Sequence, residues 1–276
     1  ESLLTLTPGT AVSGVIAATR DWLAEATGAL AQPSVWGACV GIPGPVNPAT
    51  GEMVAPALLP EWVGVDVVAA FTEALDLPVI VENDANLGAI AEARHAGDED
   101  LVYIKAGTGI GAGVVLDGKL RRGASNSAGE IGHLSLDPNG IVCRCGNRGC
   151  LETIASTPAI LSALESRMLP EAGIGAVVES ALAGDVACVR VLGDAGTAIG
   201  MAAATLCTIL NPEHIVVGGP ITGAGDILLR TLGDAMRRYA VPASGNRARI
   251  TTSVYGDRAS AMGAVMLARE TFAPVG

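Results

Sequence analysis

Aromatic side chains are scarce: three Trp, three Tyr and two Phe make up 3% of 276 residues, although half of the chain is hydrophobic. A core with so few rings must close its gaps with small residues, and Ala, Gly, Val and Leu dominate here. Such a composition suits Ala/Gly helices packed closely on Val/Ile strands, and the length allows one large domain or two smaller ones. Positive charge is also in short supply. Seventeen Lys and Arg against 28 Asp and Glu leave a net charge of −11, with a pI near 4.7. A surface this acidic repels a phosphate backbone, so these residues by themselves are expected not to hold nucleic acid.

Two further absences bear on location. The opening ESLLTLTPGT has neither a basic start nor a long apolar core, so no secretory leader is read there. Nor is there a Leu/Ile/Phe-rich run of membrane length. The nearest approach lies between Asp194 and Glu213, uncharged inside those ends, with Gly196 and Gly200 at GxxxG spacing. Its Ala, Gly and Thr content predicts a buried helix rather than a membrane span. The expectation is a cytoplasmic protein with no membrane contact.

What is present is a regular alternation of helical and strand patterns. Helices are expected near 10–30, 66–75, 157–168, 174–183, 186–210, 225–239 and 259–271. Strands are expected at 35–42, 78–82, 101–105, 111–116, 214–219 and 250–255. Strands separated this evenly by helices indicate an α/β fold and exclude a sandwich.

Six cysteines occur, three of them within eight residues: Cys143, Cys145 and Cys150. Pairing two would leave a thiol over, and a reducing compartment argues against disulfides. His133 upstream completes a His-x9-Cys-x-Cys-x4-Cys pattern, and Gly140, Gly146 and Gly149 give the backbone freedom a tight metal loop needs. Three thiolates and an imidazole suit a closed, tetrahedral, structural Zn²⁺ site. An iron–sulfur cluster and a chance grouping of small residues are the alternatives. Cys39, Cys188 and Cys207 sit in apolar stretches and read as core. His95 and His214 lack partners at ligand spacing and read as packing or solvent-facing residues.

A metal loop here would stiffen Glu130, His133 and Glu152 relative to one another. Opposite them, VENDAN (Val81–Asn86) follows a buried strand, where side chains emerge at the sheet's carboxyl edge. Asp84 there suits a general base toward a hydroxyl, with Asn83 anchoring it. Equally, the pair would cap the helix that starts near Ala85. The glycines of KAGTGIGAG suit backbone approach to phosphate, yet a tight hairpin requires the same residues. Gly218-Gly219-Pro220 carries the same two readings.

Taken together, GIPGPV (Gly41–Val46), ENDAN (Glu82–Asn86), GTGIGAG, GEIGH (Gly129–His133) and CRCGNRGCLE (Cys143–Glu152) resemble the ROK family of sugar kinases and sugar-responsive transcriptional regulators. The resemblance covers nearly the whole chain. It implies an actin/hexokinase-like (ribonuclease H-like) α/β fold of two lobes around a ligand cleft. The implied smaller lobe is 1–84, completed by a C-terminal helix at 258–276, and the larger lobe is 85–257 with a zinc loop at 133–152. The resemblance also implies structural zinc on His133, Cys143, Cys145 and Cys150. Sugar hydroxyls would be ringed by Asn83, Asp84, Glu130, His133 and Glu152. In a kinase, Asp84 would be the catalytic base, and Gly107, Thr108, Gly109, Gly218 and Gly219 would face Mg-ATP.

Two departures set the expected function. No Asp-x-Gly-x-Thr stands in a strand–turn–strand context, since Asp194-Ala-Gly-Thr falls inside an expected helix. Where kinase relatives tend to have Asn-Leu-Pro-x-Trp, this chain has Leu58-Leu59-Pro60-Glu61-Trp62. The wording of PALLPEWVGVD and IKAGTGIGAG is closer to the regulators. The expected function is therefore the sugar- or sugar-phosphate-binding effector domain of a homo-oligomeric regulator, with DNA bound by a separate N-terminal module. The alternatives are an ATP-dependent kinase of a hexose or amino sugar, and an assembly domain with a vestigial pocket.

Overall fold

The computed structural model describes residues 11–28, 35–53, 62–165, 173–245 and 247–274. The chain begins with α1 (Val12–Gly28), β1 (Ala38–Ile42), α2 (Val67–Leu75), β2 (Val79–Asn83) and α3 (Asp84–Ala96). The hairpin β3 (Leu101–Ala106) and β4 (Ile110–Leu116) follows, then the short β5 (Lys119–Leu120). Helices α4 (Glu152–Ala155), α5 (Thr157–Ala163), α6 (Ile174–Leu182) and α7 (Val186–Leu210) come next. The chain closes with β6 (His214–Gly218), α8 (Asp226–Tyr239), α9 (Pro242–Gly245), β7 (Arg249–Thr252) and α10 (Ala259–Phe272).

These elements form two sheets. β1 and β2 pair in parallel, from Ala38 opposite Val79 to Ile42 opposite Asn83. Ile42, Trp62, Phe71 and Val81 join Val15 of α1 in one core beside that pair. The second sheet runs β5-β4-β3-β6-β7, with β3, β6 and β7 parallel and β4 and β5 antiparallel. Period-two alternation explains its two covered faces. Val102, Ile104, Ile215 and Val217 enter the core that contains Leu192 and Ile199 of α7 and Leu228 and Leu232 of α8. Leu101, Tyr103 and Val216 point the other way, to Ala89 and Ala93 of α3 and Ala259 of α10.

α7 is long and apolar enough to cross a membrane by length and composition, yet half of its apolar window is buried inside the protein. Its GxxxG has a packing cause. A Cβ on Gly200 would lie 2.3 Å from the carbonyl oxygen of Leu232, and one on Gly196 would lie 2.7 Å from that of Leu228. Small residues let α7 and α8 approach backbone to backbone, which is how a core poor in aromatics is filled.

Every expected helix and strand is present in type within the described residues; α3, of which the sequence pattern marks only a start near Ala85, and the short α4, α9 and β5 are additions, and the remaining differences lie at ends. The last strand stops at Thr252 rather than 255, because Ser253 Oγ accepts the Tyr255 N–H and turns the chain. Residues 35–37 stay outside β1, where Gly37 lies against the ring of Phe272. Both ends of the expected first helix, the tail of the expected 157–168 helix, and the Leu58–Glu61 stretch fall outside the described residues.

Candidate functional site

The residues singled out in the sequence gather where β2, β3 and β4 meet the cysteine loop. That gathering starts from a sheet edge. β4 pairs with β5 only at Val115 and Leu116, so its earlier edge groups need other partners. The returning chain supplies them. Arg121 N–H donates to Val114 O at 2.7 Å, and Ala112 N–H donates to Gly129 O, also at 2.7 Å. Ile110 N–H donates to Glu152 Oε2 at 3.2 Å. Gly129 is obligatory for this contact: its φ is +89°, and a Cβ there would sit 1.8 Å from Ala112 O. The GEIGH stretch is thereby laid along β4, which puts Glu130 and His133 beside Glu152.

The cysteine loop is a knuckle closed by its own backbone. Cys143 N–H donates to Asn147 O at 2.7 Å, Gly146 N–H to Cys143 O at 2.9 Å, and Leu151 N–H to Leu134 O at 2.9 Å. The His133, Cys143, Cys145 and Cys150 donor atoms lie within 4.8 Å of one another. Cys145 Sγ and Cys150 Sγ are 3.6 Å apart, too far for a disulfide, and His133 Nδ1 is 3.6 Å from Cys143 Sγ. Tetrahedral zinc with ordinary bond lengths sets S···S near ~3.8 Å and N···S near ~3.6 Å. The donor set and its spacing therefore fit a single zinc ion. A multi-iron cluster would hold its thiolates farther apart. His133 turns Nδ1 toward the thiols and Nε2 toward Glu130, whose Oε2 is 3.9 Å away.

Asn83 and Asp84 resolve their two readings differently. Asn83 caps α3: its Oδ1 accepts from the Ala85 and Asn86 N–H groups at 2.9 and 3.0 Å, while Nδ2 donates to Gly44 O at 2.9 Å. Its carbonyl oxygen is therefore committed to the helix. Asp84 opens the first turn of α3 and makes an ion pair with Lys105 Nζ. Lys105 shares its strand face with Leu101 and Tyr103, one pleat past Tyr103, so alternation along β3 delivers its ammonium to the start of α3.

Glu130 is pushed up to about 7, first by burial and then by the negative charges of Asp84 and Glu152, with Arg144 pulling the other way. Asp84 and Glu152 therefore both lie within electrostatic reach of Glu130. Two are held by cations that the sequence reading passed over: Lys105 on Asp84, and Arg144, whose Nη2 donates to Glu152 Oε1. A third pair lies beside them. Arg122 Nε donates at 2.7 Å to Glu82 Oε2, whose other oxygen accepts Asn86 Nδ2 at 2.9 Å. Glu130 has no Lys or Arg partner among the described residues.

The glycine motifs lie together as well. Gly107, Thr108 and Gly109 form the three-residue turn of the β3–β4 hairpin, closed by Gly107 N–H to Gly109 O at 3.0 Å. Gly218 is in register beside Lys105 at the end of β6, and Gly219 follows it. A hairpin role for the first set is thus evident in the backbone. The two remaining histidines pack: His95 meets the Tyr255 ring edge-on, and His214 is bonded to Asp98 Oδ2 and Thr251 Oγ1, each at 2.7 Å.

Two α/β lobes, with glycine turns and acceptor side chains at the strand ends, define an actin/hexokinase-like protein. The chain belongs to the ROK family, whose model matches residues 10–271. A xylose repressor from Caldicellulosiruptor bescii is 30% identical over 251 residues, covering 84% of this chain and 62% of the repressor. A glucokinase from Halalkalibacterium halodurans is 33% identical over 249 residues, covering 84% of this chain and 75% of the kinase. The crystal structure of a ROK family transcriptional regulator, a homolog of the E. coli MLC protein, matches with a TM-score of 0.82 at 28% identity, over 96% of this chain and 70% of that one. This chain spans less than two thirds of the xylose repressor's length, and regulator and kinase relatives stand at similar identity.

Proposed function

We propose that this chain is the sugar-binding effector domain of a ROK-type transcriptional regulator. The observation that carries the reading is the ion pair between Asp84 and Lys105. A base in phosphoryl transfer must take the proton of the attacking hydroxyl. Here one oxygen of the carboxylate is already taken by an ammonium, which fixes the group in place and leaves a single oxygen facing a ligand. Binding needs no more than that, because the other oxygen remains free to accept a sugar hydroxyl. Glu130, His133 Nε2 and Glu152 supply the facing side of the pocket, and Asn83 contributes its remaining amide hydrogen. Zinc on His133, Cys143, Cys145 and Cys150 would hold that facing side in shape. DNA would be contacted by a segment outside these residues, in a cytoplasmic homo-oligomer that responds to a sugar or sugar phosphate. The greater length of the xylose repressor supports that division.

The kinase is the second reading, favoured by the adjacency of two glycine motifs at the strand ends. In it, Gly107, Thr108, Gly109, Gly218 and Gly219 would approach Mg-ATP, and the free oxygen of Asp84 would serve as base. Calorimetric titration with xylose, glucose, N-acetylglucosamine and their phosphates tests the effector reading. Saturable binding of at least one, independent of ATP, is the expected result. Binding of none would refute it.

A further inference from the structure

We infer that Arg144 is the positioning residue of the ligand pocket, fixing Glu152 between the cysteine knuckle and the β3–β4 turn. The inference rests on the effector reading of the pocket and names the group that shapes it. Arg144 lies between two of the knuckle's cysteines, yet its side chain leaves the knuckle, and Nη2 donates to Glu152 Oε1. Glu152 is nearly buried, with a side chain 10% exposed. Its other oxygen accepts the N–H of Ile110, the first residue of β4 after the glycine turn. One carboxylate thus ties two separate segments together. A second tie runs in parallel, from Thr157 N–H to Gly107 O at 2.8 Å.

Burial makes the guanidinium necessary. A carboxylate held in a low-dielectric pocket by one backbone N–H is under-satisfied, and it would swing toward water or toward another donor. Arg144 supplies a charge-assisted bond of fixed direction. The carboxylate keeps acceptor capacity for a ligand, since two oxygens offer about four lone-pair positions and only two are taken. Arg144 therefore aims the group without blocking it. Arg148, exposed on the same knuckle like Arg144, is a natural control: among the described residues its side chain reaches only the Gly140 carbonyl oxygen, at 3.3 Å.

The test uses the whole protein with Arg144→Gln, Arg144→Lys and Arg148→Gln, reading zinc content, amide exchange at Ile110 and affinity for whichever sugar the wild type binds. Arg144→Gln should keep its zinc, speed Ile110 exchange about ten-fold and weaken the sugar about ten-fold, the scale of lost second-layer support. Arg144→Lys should recover most of both effects, and Arg148→Gln should change neither. Unchanged Ile110 exchange in Arg144→Gln, no recovery by lysine, or equal losses in Arg148→Gln would overturn the inference. Loss of zinc in Arg144→Gln would overturn it too, because the residue would then serve the knuckle itself. If the wild type binds no sugar, the effector reading fails, while Ile110 exchange still decides the role of Arg144.

Discussion

The two sides of the proposed pocket are built in different ways. On the α3 side, Asn83, Asp84 and Lys105 stand on a strand end, a helix start and a second strand, each embedded in a packed sheet. On the facing side, Glu130 and His133 lie on one short turn and Glu152 starts a four-residue helix. A handful of backbone bonds, the cysteine knuckle and Arg144 hold these residues. Regular structure positions the first side, whereas the second is a run of turns anchored on the core by Ile131, Leu151 and Ala155. Zinc on the four donors of the knuckle would add a cross-link to those turns.

That contrast can be broken most visibly by removing the zinc proposed for the knuckle. Chelation, or Cys145→Ser, should deprotect amides from His133 to Glu152 and reduce sugar affinity by about two orders of magnitude, the upper range for disturbed metal-site support. Amides of α3 and β3 should stay protected. Hydrogen exchange with and without chelator checks this, and equal loss on both sides would erase the distinction.

The next largest effect sharpens it from the opposite direction. Gly200→Ala should cost about 2 kcal/mol of global stability, within the usual range for overpacking, because the new methyl meets a backbone carbonyl. Sugar affinity in the folded fraction should be unchanged. Denaturant unfolding beside calorimetry separates the two quantities, and a matching loss of affinity would mean that core packing reaches the pocket.

A smaller effect is expected at Asp84. Asp84→Asn keeps one acceptor oxygen but removes the charge that holds Lys105. Affinity should fall by about 1–3 kcal/mol, the scale of one charged hydrogen bond, with zinc content untouched. A loss of zinc in this variant would show that the two sides are not independent.

Much of this was legible in the sequence because it depends on local pattern. The short apolar runs LVYIK and HIVVG between helical patterns marked the strands, and the His133/Cys143/Cys145/Cys150 spacing marked the knuckle. Cap and site readings of Asn83 could not be separated in sequence, since both use the same amide; Gly44 O and two N–H groups show the cap and leave one amide hydrogen over. Lys105 and Arg144 escaped notice for a different reason. Each lies inside a quoted motif, but its partner is 21 or eight residues away. Only the fold says which carboxylate each cation meets. For Lys105 a signal did exist: the strand's period of two places it on the face where α3 must begin.

The most direct measurement is ATP-dependent phosphorylation across a sugar panel by the full-length gene product, run beside Asp84→Asn. The effector reading predicts that the wild type binds a sugar and transfers no phosphoryl group to it, so that the substitution changes affinity alone. Robust turnover lost in Asp84→Asn would contradict it and establish the kinase.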